Sequence, residues 1–321
     1  MLVALAPATT VRAAEPAPLV LEARIPLGQV TGRIDHLTVD LQHRRVFVAE
    51  LGNDSVGVVD LKSSRLLRTL PGLSEPRGIV YVPATDELYV ANGGDGSVHV
   101  FRGPDVSPAA TIDLGDDADN LRLNALRSQV VAGYGNGGLA LIDIVSHRVV
   151  ANIALQGHPE GFQLSGDGRY AYVNVPDRNQ IAMVDLEARQ RIATWPTAEL
   201  RSNFPMALES SGDGLWVAFR SPPRLVRFDT RQGKATLSLN TCGDSDDVFL
   251  DGPRRRVYVI CGSGTVEVWE QAGASYTRIA SLPTAPGART GLFVPDLDRL
   301  FIATRAIPGQ PASIMVFRPN P

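Results

Sequence analysis

The chain has 321 residues, of which 44% are hydrophobic and 20% are charged, and its net charge at pH 7 is −3. This composition is typical of a globular protein, and the slightly acidic balance gives no basic field to attract nucleic acid or an anionic membrane. Because it contains 30 glycines and 23 prolines, the chain is rich in turns, and it shows no long helical periodicity. No run is long enough to span a bilayer as a helix.

The first 14 residues, Met1–Ala14, are small and apolar, and polar sequence begins at Glu15. Val11 and Ala13 are small residues at the −3 and −1 positions of a signal-peptidase site. We interpret residues 1–14 as a signal-peptide remnant and expect a periplasmic or secreted protein. The segment has no basic n-region, which leaves a disordered tail as the alternative interpretation.

A unit of four short β-rich runs repeats along the chain, and His158–Leu186 shows most of it, with turns at Gly166–Gly168 and Pro176–Asp177. The second run of each unit has an apolar core, and these cores recur every 40–46 residues: Val46–Val48, Leu88–Val90, Val130–Ala132, Ala171–Val173, Val217–Phe219, Val257–Val259 and Leu300–Ile302. A period of 40–50 residues with four strands per repeat predicts a β-propeller.

The third runs are Ser55–Asp60, Ser97–Phe101, Leu139–Asp143, Gln180–Asp185, Arg224–Asp229, Thr265–Trp269 and Ser313–Phe317. Several end in an aspartate that we expect to accept backbone N–H bonds in the next turn. Fourth runs are found at Arg65–Leu70, Ala110–Leu114, Arg148–Leu155, Arg191–Trp195, Lys234–Leu239 and Tyr276–Leu282, but the last unit has none. We therefore predict an all-β, seven-bladed propeller of four-stranded antiparallel blades over residues 19–318. Leu19–Leu27 completes the last blade, and we expect a monomer.

The repeat resembles the YVTN-repeat, YncE-like family of seven-bladed β-propellers. The resemblance is carried by Tyr89-Val90-Ala91-Asn92 followed by Asp95-Gly96-Ser97-Val98, by Tyr172-Val173-Asn174 followed by Asn179-Gln180-Ile181, and by the Val-Asp strand endings. It covers roughly residues 19–318 and implies the fold much more strongly than any activity, because propellers support many unrelated functions.

By analogy with this family, function is expected on the face where each innermost strand enters the central channel, which we call the channel mouth. Counting back equally from the second strands gives a first ring of positions: Asp35, Arg77, Asp119, Glu160, Met206, Asp246 and Arg289. A second ring contains His36, Gly78, Asn120, Gly161, Ala207, Asp247 and Thr290, and the nearby loops add Asp116, Asp117, His158, Arg201, Asn203 and Asp244. Converging charges are costly unless they pair or meet a ligand, so this mouth is the predicted site.

Three chemistries are compatible with the mouth. Oxygen ligands from Asp35, Asp119, Asn120, Glu160, Asp246 and Asp247 suit Ca²⁺ or Mg²⁺. This set looks like that of gluconolactonase-like propellers, which implies cation-assisted hydrolase or lyase chemistry, although the spacing is not that family's motif. Alternatively, His36 or His158 acts as an acid or base while Arg77 or Arg289 holds an anionic substrate. The third interpretation is a non-enzymatic scaffold that binds a small polar molecule or a protein, in which case the charges have structural roles.

Other cofactor sites have no support in the sequence. His43, His99 and His147 fall on turns or outer strands, and there is no haem-attachment motif or P-loop, so we expect no haem, nucleotide or flavin. The glycine-rich stretch Asn92–Gly96 is interpreted as a hairpin turn. The basic cluster Arg254–Arg256 follows Pro253 in a turn on the opposite face, and we interpret it as solvated.

The two cysteines, Cys242 and Cys261, could pair in an oxidising compartment or remain buried thiols in a reducing one. In a propeller, the loop that carries Cys242 and the end of the strand that carries Cys261 reach the same face. We therefore predict a disulfide.

Overall fold

The computed structural model describes residues 17–321, so the predicted signal segment, residues 1–14, lies outside the described residues. Within the described part, 28 strands form seven four-stranded antiparallel sheets, each made of consecutive strands except the last. The predicted all-β, seven-bladed propeller is therefore confirmed.

Blades one and two contain β2 (Leu37–Asp40), β3 (Arg45–Glu50), β4 (Ser55–Asp60), β5 (Arg65–Pro71), β6 (Pro76–Val82), β7 (Glu87–Asn92), β8 (Ser97–Arg102) and β9 (Ser107–Asp113). Blades three and four contain β10 (Ala118–Asn124), β11 (Gln129–Tyr134), β12 (Gly138–Asp143), β13 (Arg148–Ala154), β14 (Phe162–Leu164), β15 (Tyr170–Val175), β16 (Gln180–Asp185) and β17 (Gln190–Pro196). Blades five and six contain β18 (Arg201–Leu208), β19 (Gly214–Ser221), β20 (Pro223–Asp229), β21 (Lys234–Asn240), β22 (Ser245–Asp251), β23 (Arg256–Cys261), β24 (Thr265–Ala272) and β25 (Ser275–Pro283). Blade seven contains β26 (Gly291–Val294), β27 (Arg299–Thr304), β28 (Ser313–Pro319) and β1 (Leu19–Pro26). Short 3₁₀ helices lie at Leu51–Asn53, Ala125–Arg127, Pro176–Arg178 and Pro295–Leu297.

The N-terminal strand closes the ring, as predicted. Strand β1 pairs antiparallel with β28, from Leu19 opposite Pro319 to Pro26 opposite Ser313. The backbone N–H of Asn320 also donates to the carbonyl of Pro18 at 2.9 Å. The last blade thus gains a fourth strand from the other end of the chain, which covers an edge that would otherwise be open to pairing.

The basic cluster on the opposite face is not simply solvated, which corrects the sequence interpretation. Arg254 makes two bonds to the carboxylate of Asp298 at 2.8 and 2.9 Å and one to Asp251 at 3.0 Å. Arg256 is buried and pairs with Glu270 at 2.8 Å. Both arginines also donate to the carbonyl of Asn320. The cluster therefore joins blade six to blade seven beside the ring closure, a contact that spacing along the chain does not reveal.

The hydrophobic core lies between neighbouring blades. Phe47 and Val56 of blade one pack in the same cluster as Leu88 and Val90 of blade two. The middle strands of a blade have a neighbouring blade on both faces, so their side chains are buried almost continuously, as in β3. Outer strands such as β13 alternate between exposed and partly buried positions because only one face packs.

The aspartates that end third strands have the predicted capping role. Asp143 accepts backbone N–H bonds from Val145 and Ser146, and Asp229 accepts them from Arg231 and Gln232. Two strands differ clearly from their predicted bounds, and one of them, β24, continues to Ala272, three residues beyond the predicted Trp269. Strand β9 begins at Ser107, three residues before the predicted Ala110, and includes Pro108. Proline is compatible with a strand there because β9 is an outer edge, where an N–H donor is not needed.

The predicted disulfide is present and links Cys242 to Cys261, whose Cα atoms are 5.9 Å apart. Cys242 lies in the loop before β22 and Cys261 ends β23, so the bridge joins the loop that enters blade six to the top of that blade. This bridge restrains the acidic run Asp244–Asp247 at the channel mouth.

Two glycines of the second ring allow neighbouring inner strands to approach closely around the channel. A Cβ on Gly78 would collide with the backbone carbonyl of Asp119 in the next blade, and one on Gly161 would collide with the carbonyl of Phe204. A larger residue would push these strands apart. The close approach brings the polar residues at the start of one inner strand against those of the next.

Candidate functional site at the channel mouth

The inner ends of several blades enclose a small polar cavity. Its volume is about 50 Å³, and its lining includes Asp35, His36, Asp119, Asn120, Glu160, Asp246 and Asp247. Arg33, Arg122, Gln163 and Met206 complete much of the wall. A water molecule takes up about 30 Å³ in the liquid, so this space suits an ion or one or two waters. A sugar-sized substrate would have to approach from the open side.

Two of the predicted metal ligands have dedicated arginine partners. Arg33 Nη2 lies 3.1 Å from Asp35 Oδ2, and Arg220 Nη2 lies 2.6 Å from Asp246 Oδ1. Arg220 also stacks over the Phe204 ring at 4.0 Å from its centroid and donates to the Ser245 carbonyl at 2.9 Å. These contacts hold Asp35 and Asp246 as members of ion pairs on the cavity wall.

The second ring is held by a different set of contacts. Asp247 Oδ2 accepts the backbone N–H of Gly291 at 2.8 Å and lies 3.7 Å from His36 Nδ1. Asn120 Oδ1 accepts a bond from Arg122 at 3.3 Å. Asp247 thus bridges blades six and seven, and both Asp247 and Asn120 already have protein partners.

The predicted arginines lie just behind the cavity. Arg77 Nη1 contacts Asp117 at 3.0 Å and Asp119 at 3.7 Å, while Arg289 Nη1 contacts Asp244 at 2.9 Å. The buried Nε atoms of both arginines have no hydrogen-bond partner among the described residues. Both guanidinium groups are therefore already paired with carboxylates, and each keeps one buried N–H without a hydrogen bond.

Asp119, His158 and Glu160 form a compact group of potential ligands at this cavity; Asp119 and Glu160 line it, and His158 lies beside them. One ligand atom from each lies within 4.8 Å of the others. His158 Nε2 is 3.4 Å from Asp119 Oδ2, and His158 Nδ1 is 2.6 Å from the Gly135 carbonyl. The Glu160 carboxylate makes no hydrogen bond or ion pair with the rest of residues 17–321.

The pKa values in this group reflect burial and mutual charge. The hydrogen bond with Asp119 outweighs burial and raises the pKa of His158 to about 9. Burial opposes the charge of Asp119, but His158 and Arg77 outweigh it and lower the pKa of Asp119. Burial and the negative charge of Asp119 together raise the pKa of Glu160 to about 8. Burial and the neighbouring carboxylate therefore outweigh the opposing effect of His158, so the carboxyl group of Glu160 holds its proton more tightly than a free one.

On the opposite wall, arginine and histidine side chains face the carboxylates. Burial raises the pKa of Asp246 to about 6, although Arg220 opposes the shift. Burial would lower the pKa of His36, but its contacts with Asp247 and Asp35 raise it to about 10. An imidazolium at neutral pH therefore neutralises part of the acidic wall.

Other residues from the predicted mouth loops do not reach the cavity. Asn203 is fully buried between blades, where its amide donates to Asn174 and to the Gln180 carbonyl. Arg201 is exposed and bonds carbonyls of its own loop, and Asp116 bonds Asn136 at 3.3 Å. Sequence reasoning also missed Arg33, Arg122 and Arg220, which supply much of the positive charge.

Comparison with solved structures identifies the fold. A chain of Kuenenia stuttgartiensis hydrazine synthase superposes with a TM-score of 0.78 at 16% identity, covering 92% of this chain and 95% of that one. A chain from a crystal structure of the mitotic checkpoint complex gives a TM-score of 0.80 at 13% identity, covering 99% and 98%. No protein-family model matches the sequence, and no curated protein matches it. At these identities the similarity extends to the propeller fold alone.

None of the short helices between residues 17 and 321 has the length and apolar character needed to cross a membrane.

Proposed function

We propose that the axial cavity is a divalent-cation site, with Asp119, His158 and Glu160 as the protein ligands. The observation that carries this proposal is the Glu160 carboxylate. It lines the cavity without a protein partner, and it lies within 4.8 Å of ligand atoms on Asp119 and His158. A carboxylate held partly away from water without a partner is unfavourable, and a cation supplies the missing counter-charge.

The orientation of His158 supports the same role. Its Nδ1 atom lies 2.6 Å from the Gly135 carbonyl, so Nδ1–H donates there and Nε2 points toward Asp119. Histidine ligands commonly donate their second ring N–H to a carbonyl or carboxylate, which fixes the ring for coordination.

This ligand set changes the expected ion. Oxygen ligands alone favour Ca²⁺ or Mg²⁺, whereas two carboxylates with one imidazole suit Zn²⁺ or Mn²⁺ better. The cavity of about 50 Å³ has room for an ion with one or two waters that complete its coordination.

We further propose that the chain is an exported, YncE-like propeller whose mouth takes a small polar or anionic substrate. A disulfide is consistent with an oxidising compartment. A cation at this site would polarise a carbonyl or activate a water, which fits hydrolase or lyase chemistry. Arg77 and Arg289 would orient an anionic group, and His36 would serve as a proton donor beside Asp247.

A non-enzymatic binding scaffold is the second candidate. It is favoured by the ion pairs Arg33–Asp35 and Arg220–Asp246, because charges that satisfy each other need no substrate. In that case, the polar wall would hold the inner strands together and recognition would use the surrounding loops.

Calorimetric titration of EDTA-treated protein with Zn²⁺, Mn²⁺, Ca²⁺ and Mg²⁺ tests the cation site. We expect one ion per chain, and proton release that is measurable by repeating the titration in two buffers. Glu160→Gln should weaken binding at least about ten-fold, because it removes a charged ligand. Glu75→Gln is the matched control, since Glu75 is exposed beside Arg77 on the same face but lies outside the ligand group. Its affinity should stay close to that of the wild type.

Absence of binding by all four ions, with no change in thermal stability, would leave the scaffold as the better explanation. Equal losses in Glu160→Gln and Glu75→Gln would show that ions respond only to the general charge of the mouth. Activity on lactones and other carbonyl substrates should then be measured with and without the ion that binds.

A further inference from the structure

A second cavity lies in the groove between blades five and six, on the face opposite the channel mouth. Its volume is about 750 Å³, which is within the range of roughly 300–1,000 Å³ seen for small-molecule sites. The turns β18–β19 and β22–β23 form its ends, and the outer strands β21 and β25 border it. It has no contact with the axial cavity and no role in the function proposed above.

The groove is open because small residues face it. Ser210, Ser211, Thr236, Gly252 and Ala274 line it where larger side chains would fill the space between the blades. Its apolar wall includes Leu237, Leu250 and the Tyr276 ring.

The aromatic part of this wall is rigid. The Trp216 and Tyr276 rings pack edge to face, with centroids 4.7 Å apart and planes at 70°. Trp216 Nε1 donates to Glu209 Oε1 at 3.0 Å. Arg227 makes two bonds of 2.7 Å to the Glu209 carboxylate, and the other acidic group of the groove, Asp251, accepts bonds from Arg254 and the Tyr258 hydroxyl, so both carboxylates are occupied. Because Trp216 is fully buried, the ring that the wall presents to a ligand is Tyr276, which packs against it.

Among the charged residues of the groove, the one without an ion-pair partner in the described residues is an arginine. Arg256 pairs with Glu270, whereas Arg255 has no ion-pair partner in the part of the chain that the structure describes. Arg255 is exposed at the groove edge and occupies a left-handed turn position with φ 54°. An unpaired guanidinium beside an aromatic wall is complementary to a ligand that has an anionic end and an apolar ring.

We propose that this groove binds an aromatic carboxylate. The ring of the ligand packs against Tyr276 and Leu237, and its carboxylate meets the guanidinium of Arg255. Hydroxyl groups of Ser210 and Ser211 lie along the same groove and can donate to oxygen substituents.

The chain contains its own control for Arg255. The turn Asp251–Arg256 in blade six corresponds to Asp40–Arg45 in blade one, and both connect the first two strands of a blade. Arg44 takes the position of Arg255, with φ 55° and an exposed side chain. Replacing either arginine by asparagine removes the charge and keeps a residue that tolerates this backbone conformation.

The test uses 2-naphthoate as the probe and its neutral counterpart, 2-naphthamide, measured by calorimetry on the full chain. Wild-type protein should bind 2-naphthoate once per chain and 2-naphthamide about ten-fold more weakly. Arg255→Asn should weaken 2-naphthoate binding by about ten-fold, and Arg44→Asn should leave it unchanged. Thr236→Trp should abolish binding by filling the groove, and Ala274→Trp is a second filling variant if the first does not fold.

Equal affinities in Arg255→Asn and Arg44→Asn would overturn the proposed carboxylate contact. Binding that survives both folded tryptophan variants would place the probe elsewhere, and no binding by the wild type up to about 1 mM would exclude this ligand class. Equal affinity for the acid and the amide would show an apolar groove without anion selectivity.

Discussion

Replacing Glu50 with glutamine should stabilise the protein above pH 7 and have little effect at pH 4. Glu50 ends β3 and is fully buried, and no cation pairs with it among residues 17–321. Its Oε2 atom accepts a 2.5 Å hydrogen bond from Ser55, while Oε1 has no partner. In blade two the equivalent pair is Asn92 and Ser97, joined at 3.0 Å, so a neutral amide occupies the same place.

The magnitude follows from the pKa of Glu50. Burial, only partly offset by the Ser55 bond, raises this pKa from 4.5 to about 7. The folded state therefore holds the proton more tightly than the unfolded chain does. The stability associated with the neutral carboxyl is complete below pH 4.5 and is lost as the pH rises to 7. Each pH unit corresponds to about 1.4 kcal/mol, so the loss above pH 7 is about 3 kcal/mol.

Urea unfolding of wild type and Glu50→Gln from pH 4 to pH 9, with the disulfide intact, measures this difference directly. The curves should agree near pH 4 and separate by about 3 kcal/mol at pH 8. Glu199→Gln is the control, because Glu199 is exposed and should change stability by less than about 0.5 kcal/mol at every pH. A constant difference between the wild type and Glu50→Gln across the pH range, or a variant less stable at pH 8, would refute the reasoning.

Two further substitutions test the scaffold of the mouth. Changing both Cys242 and Cys261 to serine should lower the free energy of unfolding by about 3 kcal/mol, because the bridge closes a loop of 19 residues; urea unfolding of reduced wild type should give the same loss. Gly78→Ala should lower the free energy of unfolding by about 1–3 kcal/mol, because the added methyl group would collide with the Asp119 carbonyl. Gly166→Ala has no neighbour within 4 Å and should change it by less than about 0.5 kcal/mol, so equal effects of the two alanines would contradict the close approach of the inner strands.

The fold was predictable because each repeat carries the same information. The apolar middle strands recur at a nearly constant period. The last repeat lacks a fourth strand and the N-terminus has one strand too many, so the N-terminal strand had to complete the last blade. The disulfide followed from the same topology, since both cysteines were assigned to one face. Strand bounds were less predictable, and Pro108 is compatible with β9 because β9 is the outer edge strand of its blade.

The sequence predicted where the site lies, but not which side chains form ion pairs and hydrogen bonds there. Equal spacing from the middle strands brings Asp35, Asp119 and Glu160 to the cavity wall, as the lining of the cavity shows. The arginines that pair with these carboxylates do not lie at a constant spacing from the middle strands. Arg122 could have been found, because it is two residues after Asn120 on a strand and so shares its face. Arg220 could not, because it reaches the mouth from the second strand of its blade.

These partners decide which side of the cavity can accept a cation. A metal that used Asp35 or Asp246 would separate it from Arg33 or Arg220 and leave a guanidinium without its counter-charge. Losing the counter-charge is most unfavourable for the largely buried Arg220–Asp246 pair, which weakens any site built there. Glu160 has no such partner to lose, so its coordination of a cation breaks no ion pair of its own. The ring of acidic positions that the sequence predicts is therefore divided by its arginines, and Glu160 is a member whose carboxylate forms no ion pair among residues 17–321.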